Sequence, residues 1–130
     1  MSDRHQLTEL QIAILRHLWD QGEASVVEIW EALFPGRGLA QTTIATLLTR
    51  LERRGVVARR AQARQYLYRA LVTEEDVQHS MVGELTERLF NGDVAALMNH
   101  LLTAQEMKPG DLARVREMID NVKTRKRGAK

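Results

Sequence analysis

The sequence predicts a mainly α-helical protein in which a winged helix-turn-helix domain with a small two-stranded wing precedes a three-helix dimerisation region. Three observations predict this class. Apolar residues recur at helical spacing along most of the chain, a short stretch of β-type residues follows the third helix, and three amphipathic segments come next in a region that is acidic overall. We expect residues 1–72 to form the winged-helix domain, residues 73–122 the helical dimerisation domain, and residues 123–130 a basic flexible tail.

The first two helices each begin with a capping signal. Thr8 with Gln11, and Ser25 with Glu28, have the spacing of a capping box, in which two side chains satisfy the first amides of a helix. Gly22 predicts the end of the first helix, and residues 34–36 (Phe-Pro-Gly) predict the end of the second. The first helix has two apolar stripes, so we expect it to pack between the helix-turn-helix core and a further element. The core stripe is Leu10, Ile14 and Leu18, and the second stripe is Ile12, Leu15 and Trp19.

Residues 41–55 predict the third helix and are the most informative segment. The aliphatic residues lie on one stripe, and the opposite stripe holds short hydroxyl side chains followed by arginine. The major groove of DNA admits a helix, and arginine can form two hydrogen bonds to guanine there. From this stripe alone, an ordinary amphipathic core helix is an equally good interpretation. The aliphatic stripe is Ile44, Leu47, Leu48 and Leu51, and the predicted DNA-binding residues are Thr42, Thr43, Thr46, Thr49, Arg50 and Arg53.

A β-hairpin is predicted directly after the third helix. Residues 56–60 and 65–69 are rich in β-branched and aromatic residues, and the loop at residues 61–64 has hairpin length. A hairpin in this position is the wing of a winged helix. It could instead only cover the core, but its many arginines favour contact with the DNA backbone. The predicted contacts are Arg59, Arg60 and Arg64.

Three amphipathic helices are predicted in the C-terminal half, the first starting near Thr73 and ending at the Asn91-Gly92 pair. Some fifty residues of such helix bury their apolar faces poorly as an isolated unit, and a second copy of the chain would cover them. We therefore expect a homodimer. The predicted dimerisation residues are Met81, Leu85, Leu89, Val94, Leu97, Met98, Leu101, Leu102, Leu112, Val115 and Ile119.

The charge distribution favours a nucleic-acid partner. The net charge is only +2 over 130 residues, but residues 37–69 carry eight arginines against one glutamate. The planar guanidinium suits phosphates and base edges better than an ammonium does. There is no cysteine, and no apolar run is long enough to cross a membrane. We expect a cytoplasmic protein whose first domain binds double-stranded DNA.

The chain shows no pattern typical of catalysis or metal binding. His5, His17, His79 and His100 are scattered without metal-ligand spacing, and no glycine-rich phosphate loop is present. His79 and Ser80 are neighbours, so on a helix they point about 100° apart and cannot form a nucleophile–base pair. We expect no enzymatic activity, no metal and no cofactor.

Several segments resemble the BlaI/MecI penicillinase-repressor family. They are residues 7–12 (Leu-Thr-Glu-Leu-Gln-Ile), 17–19 (His-Leu-Trp), 42–55, 66–68 (Tyr-Leu-Tyr) and 89–92 (Leu-Phe-Asn-Gly), with 42–55 the most specific. The resemblance implies a dimeric winged-helix repressor that binds a palindromic operator. It also implies release in a β-lactam-type response, when a membrane-bound sensor peptidase causes cleavage of the repressor.

In that family the cut falls at an Asn-Phe bond in the second C-terminal helix. The matching residues here are Asn99, His100 and Leu101, which lack the Asn-Phe pair. The copper-responsive branch of the family carries a cysteine cluster, which this chain does not have. Two other functions stay open from the sequence: a winged-helix module that binds an acidic protein, and a DNA-binding protein without sequence preference.

Overall fold

The computed structural model describes residues 7–104 and 107–128. They form two compact units, one ending at Leu85 and the other beginning at Thr86. The predicted mainly α class, with a winged helix and a two-stranded wing, is confirmed. The functional assignment of residues 1–72 and 73–122 stays a prediction. The elements are α1 (Glu9–Gln21), α2 (Val26–Arg37), α3 (Gln41–Arg53), β1 (Val57–Gln62), β2 (Gln65–Ala70), α4 (Glu74–Phe90), α5 (Val94–Ala104) and α6 (Asp111–Gly128).

Helix α1 begins and ends as its sequence predicts. Thr8 and Gln11 form the capping box, and Gly22, at a φ of 86°, caps the helix by donating its N–H to the Leu18 carbonyl. The buried face differs from the predicted stripe, because Leu15 and Gln11 are buried while Leu10 is only partly so. Gln11 tolerates burial since its side-chain oxygen accepts the Thr8 N–H.

The second face of α1 has the further packing partner that its apolar residues predict. Ile12 and Trp19 line a groove with Val77 and Met81 of α4. The Trp19 indole also donates a hydrogen bond of 2.9 Å to the Val72 carbonyl, in the segment that joins β2 to α4. The start of α4 is therefore anchored to α1.

Helix α2 is longer than predicted. Its capping box, Ser25 with Glu28, is present, but the helix continues through Pro35 to Arg37 instead of ending at residues 34–36. A proline in a helix removes one hydrogen bond without forbidding the next turn. The helix ends where Gly38 adopts the left-handed conformation and donates its N–H to the Phe34 carbonyl. The turn before α3 is therefore only residues 38–40.

The core of the first unit lies where α1, α2 and α3 meet the base of the wing. Three of the four aliphatic residues predicted for α3 are fully buried, and Leu47 is partly buried. These residues fix the rotation of α3 about its axis, because turning the helix would expose them to water at a cost of about 1.5–3 kcal/mol each. The fully buried side chains are Ile14, Leu15, Leu18, Ile29, Ile44, Leu48, Leu51, Val56 and Val57.

The wing is an antiparallel hairpin whose pairing reaches further than predicted. Val57 pairs with Ala70 and Gln62 with Gln65, so the loop is a two-residue turn instead of the four residues 61–64. The pairing extends because Ala63 adopts a positive φ of 57°, which suits a tight hairpin turn. Ala24 joins the wing through an isolated β-bridge, since its N–H and carbonyl both bond to the backbone of Tyr68.

The C-terminal helices begin and end at local signals. Thr73 and Asp76 cap α4, which ends at Phe90, before Asn91 (φ 51°) and Gly92 (φ 79°). Asp93 caps α5 by accepting the Ala96 N–H. Among the residues that the structure describes, no helix is long and apolar enough to cross a membrane.

The basic C-terminal segment differs from the predicted tail. Helix α6 continues to Gly128, so residues 123–128 are helical, and residues 129–130 lie outside the described residues. Lysine and arginine are good helix formers, so nothing in this stretch ends the helix that begins at Asp111. The Thr124 hydroxyl also bonds back to the Asp120 carbonyl.

Candidate nucleic-acid interface

The exposed face of α3 carries the predicted reading residues. Burial of the aliphatic stripe places the opposite stripe in solvent, and all six predicted residues of this helix are exposed. Thr42, Thr43, Thr46 and Arg50 border a shallow depression together with Leu47. The Thr49 hydroxyl donates to the Ala45 carbonyl, so it can offer only its lone pairs to a partner. The face combines short hydroxyls with long guanidinium groups.

The position of α3 depends on Trp30. Its indole Nε1 donates a hydrogen bond of 2.6 Å to the carbonyl of Leu39, one residue before the helix N-cap, Ala40. The Trp30 ring also packs against Phe34, with 4.9 Å between the ring centres. Ala40 provides no side-chain cap, so this bond from α2 supports the short turn together with the packing of Leu39 against the core.

The predicted DNA-binding arginines fall into two groups. Among the residues that the structure describes, Arg50, Arg53 and Arg64 make no ion pair, so their guanidinium groups can approach a phosphate or a base. Arg59 is engaged: its Nε lies 3.3 Å from a carboxylate oxygen of Glu52 on α3, and its guanidinium carbon lies 4.2 Å from the centre of the Tyr66 ring. It therefore ties the wing to α3.

The environment of Arg59 favours its charged form. A side-chain hydrogen bond with Tyr68 is the main cause of its raised pKa, and the charge of Glu52 adds to it. The guanidinium is ionised at any physiological pH. The raised pKa of Arg59 therefore reflects its contacts and does not indicate a pH-dependent switch.

Arg60 is engaged more closely than Arg59. Its Nε and Nη2 donate hydrogen bonds of 2.7 and 2.8 Å to the two carboxylate oxygens of Glu23, in the turn between α1 and α2. The hydrogen bond from Arg60 is the main reason that the pKa of Glu23 is lowered, and the same bond raises the pKa of Arg60. Its predicted contact with DNA is not tested by this geometry and stays a prediction.

Three residues that shape this surface carry no signal in the sequence. Glu23 lies 37 positions before its partner Arg60, and Glu52 looked like the single acidic residue of a basic segment. Trp30 lies nine positions before Leu39, whose carbonyl it bonds, and no motif marks that pairing. Only the charge distribution suggests that some arginines have carboxylate partners, because a dense group of arginines needs nearby carboxylates unless it faces an external anion.

The predicted dimerisation residues are mostly exposed within one chain. In the second unit, Leu89 and Val94 are 71% and 61% exposed, and Leu112 is 64% exposed. Large apolar side chains of this exposure cost solubility unless something covers them. Met81 differs from the rest, since it packs against the core of the first unit. The others at or above two-fifths exposure are Leu85, Leu101, Leu102 and Ile119, while Leu97, Met98 and Val115 are half-buried.

The predicted cleavage region lies within α5. Asn99, His100 and Leu101 are exposed, and the Asn99 carbonyl accepts a hydrogen bond from the Thr103 hydroxyl. The His100 ring meets the edge of Phe90 at 5.9 Å between ring centres. A peptidase that binds its substrate in extended form needs this turn of α5 to open first.

Among residues 7–104 and 107–128, no three His, Cys, Asp or Glu side chains gather where they could hold a metal ion. His5 lies outside these residues.

A three-helix core, a two-stranded wing and an exposed helix face rich in threonine and arginine define a winged-helix DNA-binding protein. The family model described as "Penicillinase repressor" matches residues 7–121. The chain therefore belongs to the penicillinase repressor family, and with it to the DNA-binding transcriptional repressors.

Individual relatives agree with the family match. The transcriptional regulator BlaI of Mycobacterium tuberculosis is 30% identical over 104 residues, which are 78% of this chain and 75% of the relative. The penicillinase repressor of Staphylococcus aureus is 20% identical over 109 residues, or 84% of this chain and 86% of the relative. The solved DNA binding domain of the repressor BlaI has a TM-score of 0.52 at 21% identity, covering 58% of this chain and 93% of that domain. This last likeness shows the fold.

Proposed function

We propose that the chain represses transcription by binding a palindromic operator as a homodimer, with α3 as the reading helix. The observation that carries the proposal is the exposed face of α3. Six hydroxyl and guanidinium side chains lie on the side of the helix opposite Ile44, Leu48 and Leu51, whose complete burial fixes that orientation.

The three arginines that make no ion pair within the described part of the chain differ in position, which suggests two roles at the operator. Arg50 and Arg53 project from α3, where a helix in the major groove places side chains against base edges. Arg64 lies in the turn at the tip of the wing, where a guanidinium can reach a phosphate of the backbone. The first two would read sequence, and the third would add affinity without regard to sequence.

A homodimer would follow from the exposed apolar residues of the second unit. Two copies related by a two-fold axis would bury the same surface on each chain and present two reading helices to a palindrome. The half-sites would then lie about one helical turn of DNA apart, roughly 34 Å, or a multiple of it. Two linked reading helices bind far more tightly than one, because the second binding step is intramolecular.

Release from DNA would come from cleavage in α5, at Asn99–His100 or His100–Leu101. Cutting this helix would divide its apolar stripe and expose Val94 and Leu97, so the dimer would come apart without any change at the DNA contacts. The family suggests that a membrane-bound sensor peptidase sets off the cut in response to a β-lactam. In this scheme the chain itself acts in the cytoplasm, has no enzymatic activity and needs no cofactor.

The proposal is tested by selecting bound sequences from a pool of random duplexes. A palindrome that is bound at least a thousandfold more tightly than random DNA, the usual lower range for a specific regulator, is the expected result. Salt-dependent binding with no enriched sequence would indicate a sequence-neutral DNA-binding protein instead. No binding to any duplex would favour a module whose arginines meet an acidic protein.

A further inference from the structure

The contact between Glu23 and Arg60 is the most closely fitted ion pair at the wing. Both carboxylate oxygens accept hydrogen bonds, from Nε and Nη2 of the same guanidinium. Nη2 also lies 3.4 Å from the side-chain oxygen of Gln62. Two parallel bonds fix the orientation of the guanidinium plane as well as its distance, which a single bond does not.

The backbone beside this pair is fixed by a second set of bonds. Ala24, the residue after Glu23, exchanges two hydrogen bonds with Tyr68 on β2, at 3.0 and 2.8 Å. Arg60 lies on β1, so the ion pair connects the α1–α2 turn to the strand that Ala24 does not reach. Both strands of the wing are thereby attached to the turn that leads into the helix-turn-helix.

We infer that Glu23 is a positioning residue, which holds the wing in a set orientation to the helix-turn-helix through its paired hydrogen bonds to Arg60. The consequence for DNA binding rests on the proposed function. A correctly oriented wing places Arg64 against the DNA backbone only when α3 lies in the major groove of the operator. Glu23 therefore raises discrimination between operator and random DNA, although its negative charge lies beside a basic surface.

If Arg60 instead contacts a DNA phosphate directly, the variants should change DNA binding differently. If Arg60 left Glu23 to bind a phosphate, Glu23 would compete with DNA, and its removal would strengthen binding to every sequence. If Arg60 stays with Glu23, its removal frees the wing and lowers discrimination. Arg69 also lies near Glu23, and its positive charge contributes to the lowered pKa of the Glu23 carboxyl.

The experiment compares full-length variants on the selected operator and on random duplex. The variants are Glu23→Gln, Arg60→Gln and the exchange Glu23→Arg with Arg60→Glu. The matched control is Glu9→Gln, because Glu9 forms a similar exposed ion pair with Arg37 at 2.6 Å, but this pair joins α1 to α2 and includes no residue of either wing strand.

Both single variants at the wing should lower the operator-to-random affinity ratio by about twofold to fivefold, the upper part of the range expected when an exposed pair is lost. The exchange should recover part of the lost ratio, since an ion pair of reversed direction can still hold the wing, while Arg69 repels an arginine at position 23. The control should leave the ratio unchanged. An unchanged operator-to-random ratio in Glu23→Gln and Arg60→Gln would overturn the inference, and so would stronger binding of Glu23→Gln to both duplexes by the same factor.

A second readout needs no DNA. Hydrogen exchange of the Tyr68 amide, which bonds to the Ala24 carbonyl, should quicken in Glu23→Gln and Arg60→Gln but not in Glu9→Gln. Equal exchange in all four proteins would contradict a positioning role. If the unmodified chain bound no duplex at all, the proposed function would fail. The hydrogen-exchange measurement would still decide whether Glu23 holds the wing.

Discussion

The indole Nε1 of Trp19 donates a hydrogen bond of 2.9 Å to the backbone carbonyl of Val72, 53 residues along the chain. Val72 is 5% exposed and lies between the wing and α4, so its carbonyl has little access to water. A side chain of α1 therefore satisfies a backbone group at the point where the chain leaves the winged helix. The corresponding bond of Trp30, to Leu39, lies instead at the turn before α3.

Trp19→Phe should lower the free energy of unfolding by about 1–2 kcal/mol, because a nearly buried carbonyl loses its only donor from α1 while the aromatic packing is largely kept. Chemical denaturation measures this. Trp30→Phe is the comparison: it should cost a similar amount, but it should also lower operator discrimination, since it loosens the entry to α3. An unchanged stability for Trp19→Phe would show that the bond does not contribute.

Ala63→Gly should stabilise the protein by about 0.5–1 kcal/mol. Ala63 has a φ of 57°, a conformation that costs an L-residue about 1–2 kcal/mol and glycine almost nothing, and the greater flexibility of glycine when unfolded offsets part of the gain. Ala61→Gly is the control, because Ala61 lies in β1 opposite Tyr66, where glycine should be destabilising. Thermal melts compare the two. A loss of stability at both positions would contradict the strained turn.

Leu101→Asp should convert the proposed dimer to monomers, because a carboxylate in an apolar interface loses its hydration without gaining a partner. The control is Val27→Asp on α2, since Val27 is 42% exposed and Leu101 is 41% exposed. Sedimentation measures the mass, and circular dichroism checks that both variants fold. A dimeric Leu101→Asp would place the interface elsewhere.

Replacing Asn99, His100 and Leu101 with alanine should block both cleavage and derepression in cells challenged with a cell-wall antibiotic. Alanine keeps α5 helical. Because Leu101 is also a predicted dimerisation residue, repression before the antibiotic is added must first be shown to equal that of the unmodified chain. The control is the same replacement of Arg116, Glu117 and Met118 on α6. Chain length is followed by immunoblot and repression by a reporter. Normal derepression with an intact chain would exclude cleavage as the release step.

The sequence predicted the features of this fold that local chemistry determines. Both capping boxes, at Thr8 and Ser25, and the stop after Phe90 depend on residues within a few positions of one another. Pro35 was misread because a proline weakens a helix without always ending it, and the end was set by Gly38, two residues after the predicted stop. The hairpin loop is predicted at residues 61–64, but its shortening to two residues could not be predicted, because alanine rarely adopts the positive φ of Ala63.

In the candidate interface, too, some features could be predicted from local sequence and others could not. The exposed face of α3 could be predicted, since the burial of Ile44 and Leu48 and the exposure of Thr46 follow from one helical period. The pairing of Arg60 with Glu23 could not, because it depends on the three-dimensional meeting of a strand and a turn. Composition marks which arginines are present, and only the fold shows which of them already have a partner.

The most direct test of the central claim, that α3 reads bases and the wing tip contacts the backbone, is to measure the affinity of Arg50→Ala and Arg64→Ala for the selected operator and for random duplex over a range of salt. Arg50→Ala should lose about 1–3 kcal/mol on the operator and much less on random DNA, because a base contact exists only at the right sequence. Arg64→Ala should weaken both duplexes alike and reduce the salt slope by about one. Equal losses of Arg50→Ala on the two duplexes would contradict the account.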